Sequence, residues 1–102
     1  PYRAGIVYPV AGEFGRMEML EVMGLDGFDY AHQCDAPNLG ILAVRYPVAD
    51  IERAKSQVLA QGGALSGDIA TVLLGGVGTV ELFSLKTPDG AIMQFFSDPA
   101  AQ

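Results

Sequence analysis

The chain of 102 residues has one cysteine, one histidine and no tryptophan, and only 18% of its positions are charged. A single Cys34 cannot close an internal disulfide. Basic residues are scarce: six Lys/Arg stand against twelve Asp/Glu, a net charge of −6. Arg3, Arg16, Arg45, Arg53, Lys55 and Lys86 are scattered, so no basic stripe exists for a phosphate backbone and nucleic acid is not an expected partner. No apolar run reaches the roughly 18 residues of a membrane span. No basic-then-apolar leader precedes a small-residue cleavage site, so the expected address is cytoplasmic. Motifs G-x-S-x-G and H-E-x-x-H are absent, and the Gly75-Gly76-Val77-Gly78 bend lacks the last glycine of the G-x-G-x-x-G spacing and the following helix of a phosphate loop.

Half of the positions are hydrophobic. A chain of this length buries roughly 65% of its unfolded surface at a radius of gyration of about 13 Å, enough for one domain whose core needs no staples. Arg3 to Val10 reads as an edge strand with Pro9 near its end, and Gly12 and Gly15 mark a turn. Arg16 to Met23 alternates, placing Arg16, Glu18, Leu20 and Val22 on one face and Met17, Met19, Glu21 and Met23 on the other, so the two runs predict a hairpin. Residues 24–38 have no period and read as a connecting loop. Leu39 to Tyr46 is a strand-length apolar run closed by Pro47. Asp50 stands at an N-cap position ahead of IERAKSQVLAQ, with Gly62-Gly63 as the stop. Ile51, Ala54, Val58 and Leu59 form its apolar stripe. Strands over 69–74, 79–86 and 91–97 follow, the last two joined by a Pro88-Asp89-Gly90 turn, and the tail DPAAQ reads as a frayed end.

The stretch NLGILAVRYPVADIERAKSQVLAQGG, a glycine-containing strand pair, and then LKTPDGAIMQFF resemble the second βαβββ module of the vicinal oxygen chelate superfamily. That superfamily includes glyoxalase I, extradiol dioxygenases, fosfomycin-modifying enzymes and bleomycin resistance proteins. The match covers about 60 residues, and GIVYPVAGEFGRMEMLEV resembles the last two strands of a first module more weakly. The resemblance implies an α+β fold with an incurved, mostly antiparallel sheet of about six strands and one principal helix. It implies a partial first module over 1–23, a linker over 24–38 and a second module over 39–97. The first module's opening strand and helix are missing.

Four metal-ligand positions of the family carry over one by one. The second-module histidine falls at Ile41, within a residue or two, and its carboxylate falls at Gln94, a weaker neutral ligand. The first-module carboxylate matches Glu18, while the first-module histidine belongs to a strand this chain lacks. One ligand of four is short of the three that catalytic first-row sites use, so no cofactor is expected.

With Glu18 in the family's cavity, strand alternation adds Leu20, Ile41, Ala43, Ile92, Gln94 and Phe96, an apolar pocket with two polar groups. The competing interpretation is a small core with Glu18 at its rim. Arg45 shares the alternation and could neutralise Glu18 or an anionic ligand, although a strand-end arginine is ordinarily solvated. His32 and Cys34, with Asp29 and Asp35 nearby, are a weak pattern for a metal or a nucleophile. Six of the twelve carboxylates lie between Glu13 and Asp35, ordinarily a solvated face and alternatively the entrance of a pocket for a cation. Met17, Met19 and Met23 would be left uncovered by the missing helix, which predicts a homodimer that covers them.

The expected function is metal-independent binding of a small organic molecule, cationic or aromatic, rather than catalysis. The alternatives are a metal-dependent lyase, isomerase or dioxygenase of the glyoxalase type with Glu18 as ligand or base and a partner chain completing the site, or an inactive piece of a longer protein.

Overall fold

The computed structural model describes residues 1–8, 15–29, 31–33 and 39–101. The protein is α+β, with one α-helix among the described residues and mostly antiparallel strand pairs. It divides into two compact units, Pro1–Asp29 and Tyr30–Ala101, and the division falls inside the segment read as a linker. That segment contains a single turn of 3-10 helix at Ala31–Gln33.

The first unit is a hairpin of β1 (Tyr2–Val7) and β2 (Met17–Val22). Their antiparallel register sets Ile6 opposite Glu18, Ala4 opposite Leu20 and Gly5 opposite Met19. Glu18, Leu20 and Val22 therefore share one face, and Met17, Met19 and Glu21 the other, as the alternation requires. The strand run expected to continue to Val10 ends at Val7, and Pro9, Val10 and Gly12 lie outside the described residues.

In the second unit the order is β3 (Ala43–Val48), α1 (Ile51–Ala60), β4 (Ala70–Leu74), β5 (Gly78–Lys86) and β6 (Ile92–Ser97). The sheet order is β3-β6-β5-β4, with β3 parallel to β6 and the other pairs antiparallel. The described strands thus form a two-stranded and a four-stranded sheet where one sheet of six was expected. β1 and β2 hydrogen-bond to each other in the first of these.

The expected strand over 39–46 is displaced to Ala43–Val48, and Pro47, expected to end it, lies inside it. Gly40 adopts φ +130°, which turns the chain before the strand can start. Pro47 is tolerated because β3 is an edge strand, where a residue facing away from the sheet needs no N–H. Val48 continues the pairing, its carbonyl accepting from Asp98 N at 2.8 Å.

Both ends of the helix are set locally. Asp50 Oδ1 accepts from Arg53 N at 2.9 Å, a side-chain cap for an otherwise orphaned amide. At the other end Gly62 N donates to Leu59 O and Gly63 N to Val58 O, at 3.1 and 2.9 Å, a Schellman motif with Gly62 at φ +83°. Ile51 is 5% exposed, and Ala54 and Val58 are half-buried over the sheet. Leu59, expected in that stripe, is 49% exposed. Position 59 is one residue past Val58, a rotation of about 100° away from the sheet.

The tail, expected to fray, turns instead: Asp98 Oδ1 accepts from Ala100 N at 2.9 Å and Asp98 O from Ala101 N at 2.9 Å. Between β5 and β6, Thr87 O accepts from Gly90 N at 2.9 Å while Thr87 Oγ1 accepts from Ala91 N at 3.1 Å, with Gly90 at φ +88°. This turn fixes the register that follows, and with it every pairing described next.

Candidate functional site

Register assigns each side chain of the four-stranded sheet to a face. Tyr46, Phe95 and Phe83 are cross-strand partners on β3, β6 and β5. Their rings form a row, with centroids 6.1 Å apart for Tyr46–Phe95 and 5.3 Å for Phe83–Phe95. Beside this row, Val48, Leu85 and Phe95 share a groove of about 460 Å³ with Ala54 and Val58 of α1, so this is the helix-covered face.

One residue earlier along β3 and β6 the alternation points to the opposite face. There Arg45, Gln94 and Ser84 are cross-strand partners on the same three strands. Arg45 Nε donates to Gln94 Oε1 at 2.6 Å, and Gln94 Nε2 donates to Ser84 Oγ at 3.0 Å. A polar row therefore crosses three strands, back to back with the aromatic one. Its neighbours two residues away on β6 are Ile92 and Phe96, and on β3 Ala43 and Pro47. On β5, Ser84 is flanked by Leu82, opposite Phe96, and by Lys86, opposite Ile92. Gln94, Ser84, Ile92 and Phe96 are half-buried and Arg45 is exposed.

Of the residues expected at the site, the structure gathers Ala43, Ile92, Gln94 and Phe96 on this face. Ile41 precedes β3, is 88% exposed, and belongs to neither row. Glu18 and Leu20 share a face of the hairpin in the other unit. Glu18 there lines a cleft of about 280 Å³ with Ile6 and Arg16, and the Arg16 guanidinium lies 5.9 Å from the centre of the Tyr8 ring. Met17 is half-buried, while Met19 and Met23 are exposed.

Ser84 was not singled out by sequence. Its signal was present in VELFSLK, where period-two alternation aligns Val80, Leu82, Ser84 and Lys86, but the partner opposite Ser84 depends on the turn that sets the register. His32 lies in the 3-10 turn beside Gln33, with Gln33 Nε2 at 3.4 Å from His32 Nε2; Cys34 and Asp35 lie outside the described residues.

The donor set here does not fit the metal that the family resemblance implies. Position 41 offers no ligand atom and lies off the sheet. The carbonyl oxygen of Gln94, the atom that would bind an ion, already accepts from a guanidinium, and a divalent cation there would meet the positive charge of Arg45 at short range. Among the described residues no three His, Cys, Asp or Glu side chains come together.

A separate ion pair ties α1 to the segment before β4. Lys55 Nζ lies 2.9 Å from Asp68 Oδ1, which also accepts from Ile69 N at 2.8 Å. The hydrogen bond from Lys55, followed by that from Ile69, holds the Asp68 carboxyl below the usual range, and the same bond raises Lys55. No helix among the described residues is long and apolar enough to cross a membrane.

No family model and no curated protein matches the chain. Among solved structures it is similar to the virulence protein STM3117 from Salmonella typhimurium, with 16% identity and a TM-score of 0.50 over 54% of this chain. It spans 44% of that protein's length. It is also similar to the integron cassette protein VCH_CASS1 from V. cholerae, at 17% identity and TM-score 0.54, covering 92% of this chain and 75% of that one. A structure from the mobile metagenome of V. pseudocholerae, VPC_CASS1, is similar at 17% identity and TM-score 0.55, covering 92% and 74%. At such identities the likeness is one of fold alone, a small α+β protein with one helix laid against mostly antiparallel strands.

Proposed function

We propose that the chain binds a small organic molecule, without a metal ion, on the sheet face that carries Arg45, Gln94 and Ser84. The single observation behind this is the polar row itself. Three hydrogen-bonding side chains cross three strands beside Ala43, Ile92, Phe96 and Leu82, with Lys86 at the end of β5. Apolar walls with a few aligned polar groups are the usual make-up of small-molecule sites. On this reading residues 39–97 are a vicinal oxygen chelate module, supported by their order of strand, helix and three strands. The glyoxalase-type chemistry of that superfamily is not part of the proposal, because the amide of Gln94 is committed to Arg45.

Thermal-shift screening of chelator-treated protein against a metabolite panel tests the proposal. The expected result is a melting-temperature rise with at least one compound, by mass action on the folded state, that is lost when Gln94 and Ser84 are replaced by Leu and Ala. A rise that appears only after a divalent metal is restored would overturn it.

A further inference from the structure

We propose that the ligand is anchored through an anion, a carboxylate on an apolar or aromatic body, received by Arg45 and Ser84. The inference rests on the polar row being a binding site, as proposed above, and goes on to specify the chemistry it accepts.

Hydrogen-bond accounting leads there. Arginine has five N–H donors and no acceptor. Its Nε is committed to Gln94 Oε1 at 2.6 Å, which settles the orientation of the amide, since only the oxygen can face a guanidinium. The Gln94 nitrogen must then face Ser84, whose Oγ accepts at 3.0 Å. Once Oγ has accepted, the Ser84 hydroxyl hydrogen remains to donate. Gln94 keeps a second N–H, and Arg45 keeps the four N–H groups of Nη1 and Nη2, which have no other partner among the described residues. Gln94 Oε1 has given one of its two lone pairs to Arg45 and lies against the guanidinium's positive charge. What the row offers outward is mostly donors, with a positive charge at one end.

Charge follows the same direction. Arg3 is paired with Glu21 at 3.1 Å and Lys55 with Asp68 at 2.9 Å, whereas no carboxylate pairs with Arg45 among the described residues. The acidic excess of the chain as a whole, −6, would suggest a cationic ligand, but it is not located here. The residues bordering Arg45 and Gln94 on β3 and β6 are Ala43, Pro47, Ile92 and Phe96, all uncharged. A carboxylate meets the two Nη groups as a planar fork, and the bond to Gln94 holds that fork in place before the ligand arrives. Ile92 and Phe96, on either side of Gln94, supply the surface for the ligand's apolar body.

Three probes of one shape separate the terms: benzoate, benzylamine and benzyl alcohol, titrated into the ¹⁵N-labelled full chain while the Arg45 Nε, Gln94 Nε2 and neighbouring amide signals are followed by NMR. Benzoate is expected to shift all three sets saturably and to bind at least about tenfold more tightly than benzylamine, the ratio that one charge-assisted hydrogen bond supports. Arg45→Met should weaken benzoate by at least about tenfold and weaken benzyl alcohol by much less, since only the anion loses a charge partner. Gln94→Glu, which neutralises Arg45 from within, should weaken benzoate similarly, so the test does not depend on one variant folding. Benzylamine binding as tightly as benzoate, or benzoate binding undiminished in both variants, overturns the anion assignment while the binding face stands. If none of the three probes shifts the signals of residues 92–96 and 84 at concentrations near 10 mM, about ten times the Kd of a binding energy of −4 kcal/mol, the binding face and the anion assignment fall together.

Discussion

Phe83 and Phe95 face each other across β5 and β6 with ring centroids 5.3 Å apart, and Phe83 is 1% exposed beneath the helix-covered side of the sheet. Truncating Phe83 removes a fully buried ring and leaves a void that a sheet cannot close. Phe83→Ala is expected to cost about 3–5 kcal/mol, a large fraction of the stability of a small domain. Leu73→Ala provides the contrast, because Leu73 on β4 is 79% exposed, and a change within about 0.5 kcal/mol is expected. Chemical denaturation of the two variants checks both numbers; similar losses would mean that the exposed face of β4 is covered in solution.

The Asp50 cap should be worth about 1 kcal/mol, because Asp50→Ala leaves the Arg53 amide without its side-chain acceptor. For a domain of this size that corresponds to a fall in Tm of about 4–8 °C. Asp50→Ser is expected to recover most of it, since serine also caps, and scanning calorimetry of the pair reads both.

Gly63 is required for space rather than for its backbone angle. A Cβ built there would lie 2.6 Å from Val58 Cγ1 and 2.9 Å from the Val58 carbonyl oxygen. The side chain could rotate away, but the carbonyl belongs to the Schellman turn and cannot. Gly63→Ala is therefore expected to destabilise by about 1–3 kcal/mol, the range for overpacking, and the double variant Gly63→Ala with Val58→Ala should regain little of it. Full recovery in the double variant would show that the methyl contact, not the carbonyl, is the constraint.

The Lys55–Asp68 pair sets a pH window. Asp68 has its carboxyl lowered, so its contribution is present above its unfolded pKa and disappears as pH falls through the folded one. Lys55 is raised, so its contribution is present below its unfolded pKa and disappears as pH rises through the folded one. The Tm difference between the parent chain and Asp68→Asn should then be a plateau from about pH 5 to pH 9 that closes at both ends. Both groups are solvent-accessible, so added salt should shrink the plateau. A difference that closes at the acid end but persists at alkaline pH would assign the effect to the Ile69 amide bond alone, since only the alkaline closure belongs to Lys55.

Local chemistry carried much of the architecture. Asp50, Ala54, Val58 and the Gly62-Gly63 pair specify the helix within about a residue, because caps and propensities act over one turn of chain. Pro88-Asp89-Gly90 likewise specifies its turn, and the alternation of MEMLEV specifies which residues of β2 share a face. The apolar run 39–46 misled, because periodicity cannot locate the start of a strand; Gly40 at φ +130° does that, and Pro47 is tolerated in β3 because β3 is the edge of its four-stranded sheet.

Composition, caps, turns and alternation are properties of neighbours in the chain, and the sequence by itself determined them here, along with the α+β class. The alignment of Arg45, Gln94 and Ser84 was decided only by tertiary structure. Those residues lie 49 and 10 positions apart, and a slip of one residue in the pairing of either β5 or β3 with β6 would turn a partner to the helix face and leave the Gln94 amide unmatched. Side-chain period along a strand is local, but which strands become neighbours, and in which register, is set by closure of the whole sheet against its helix.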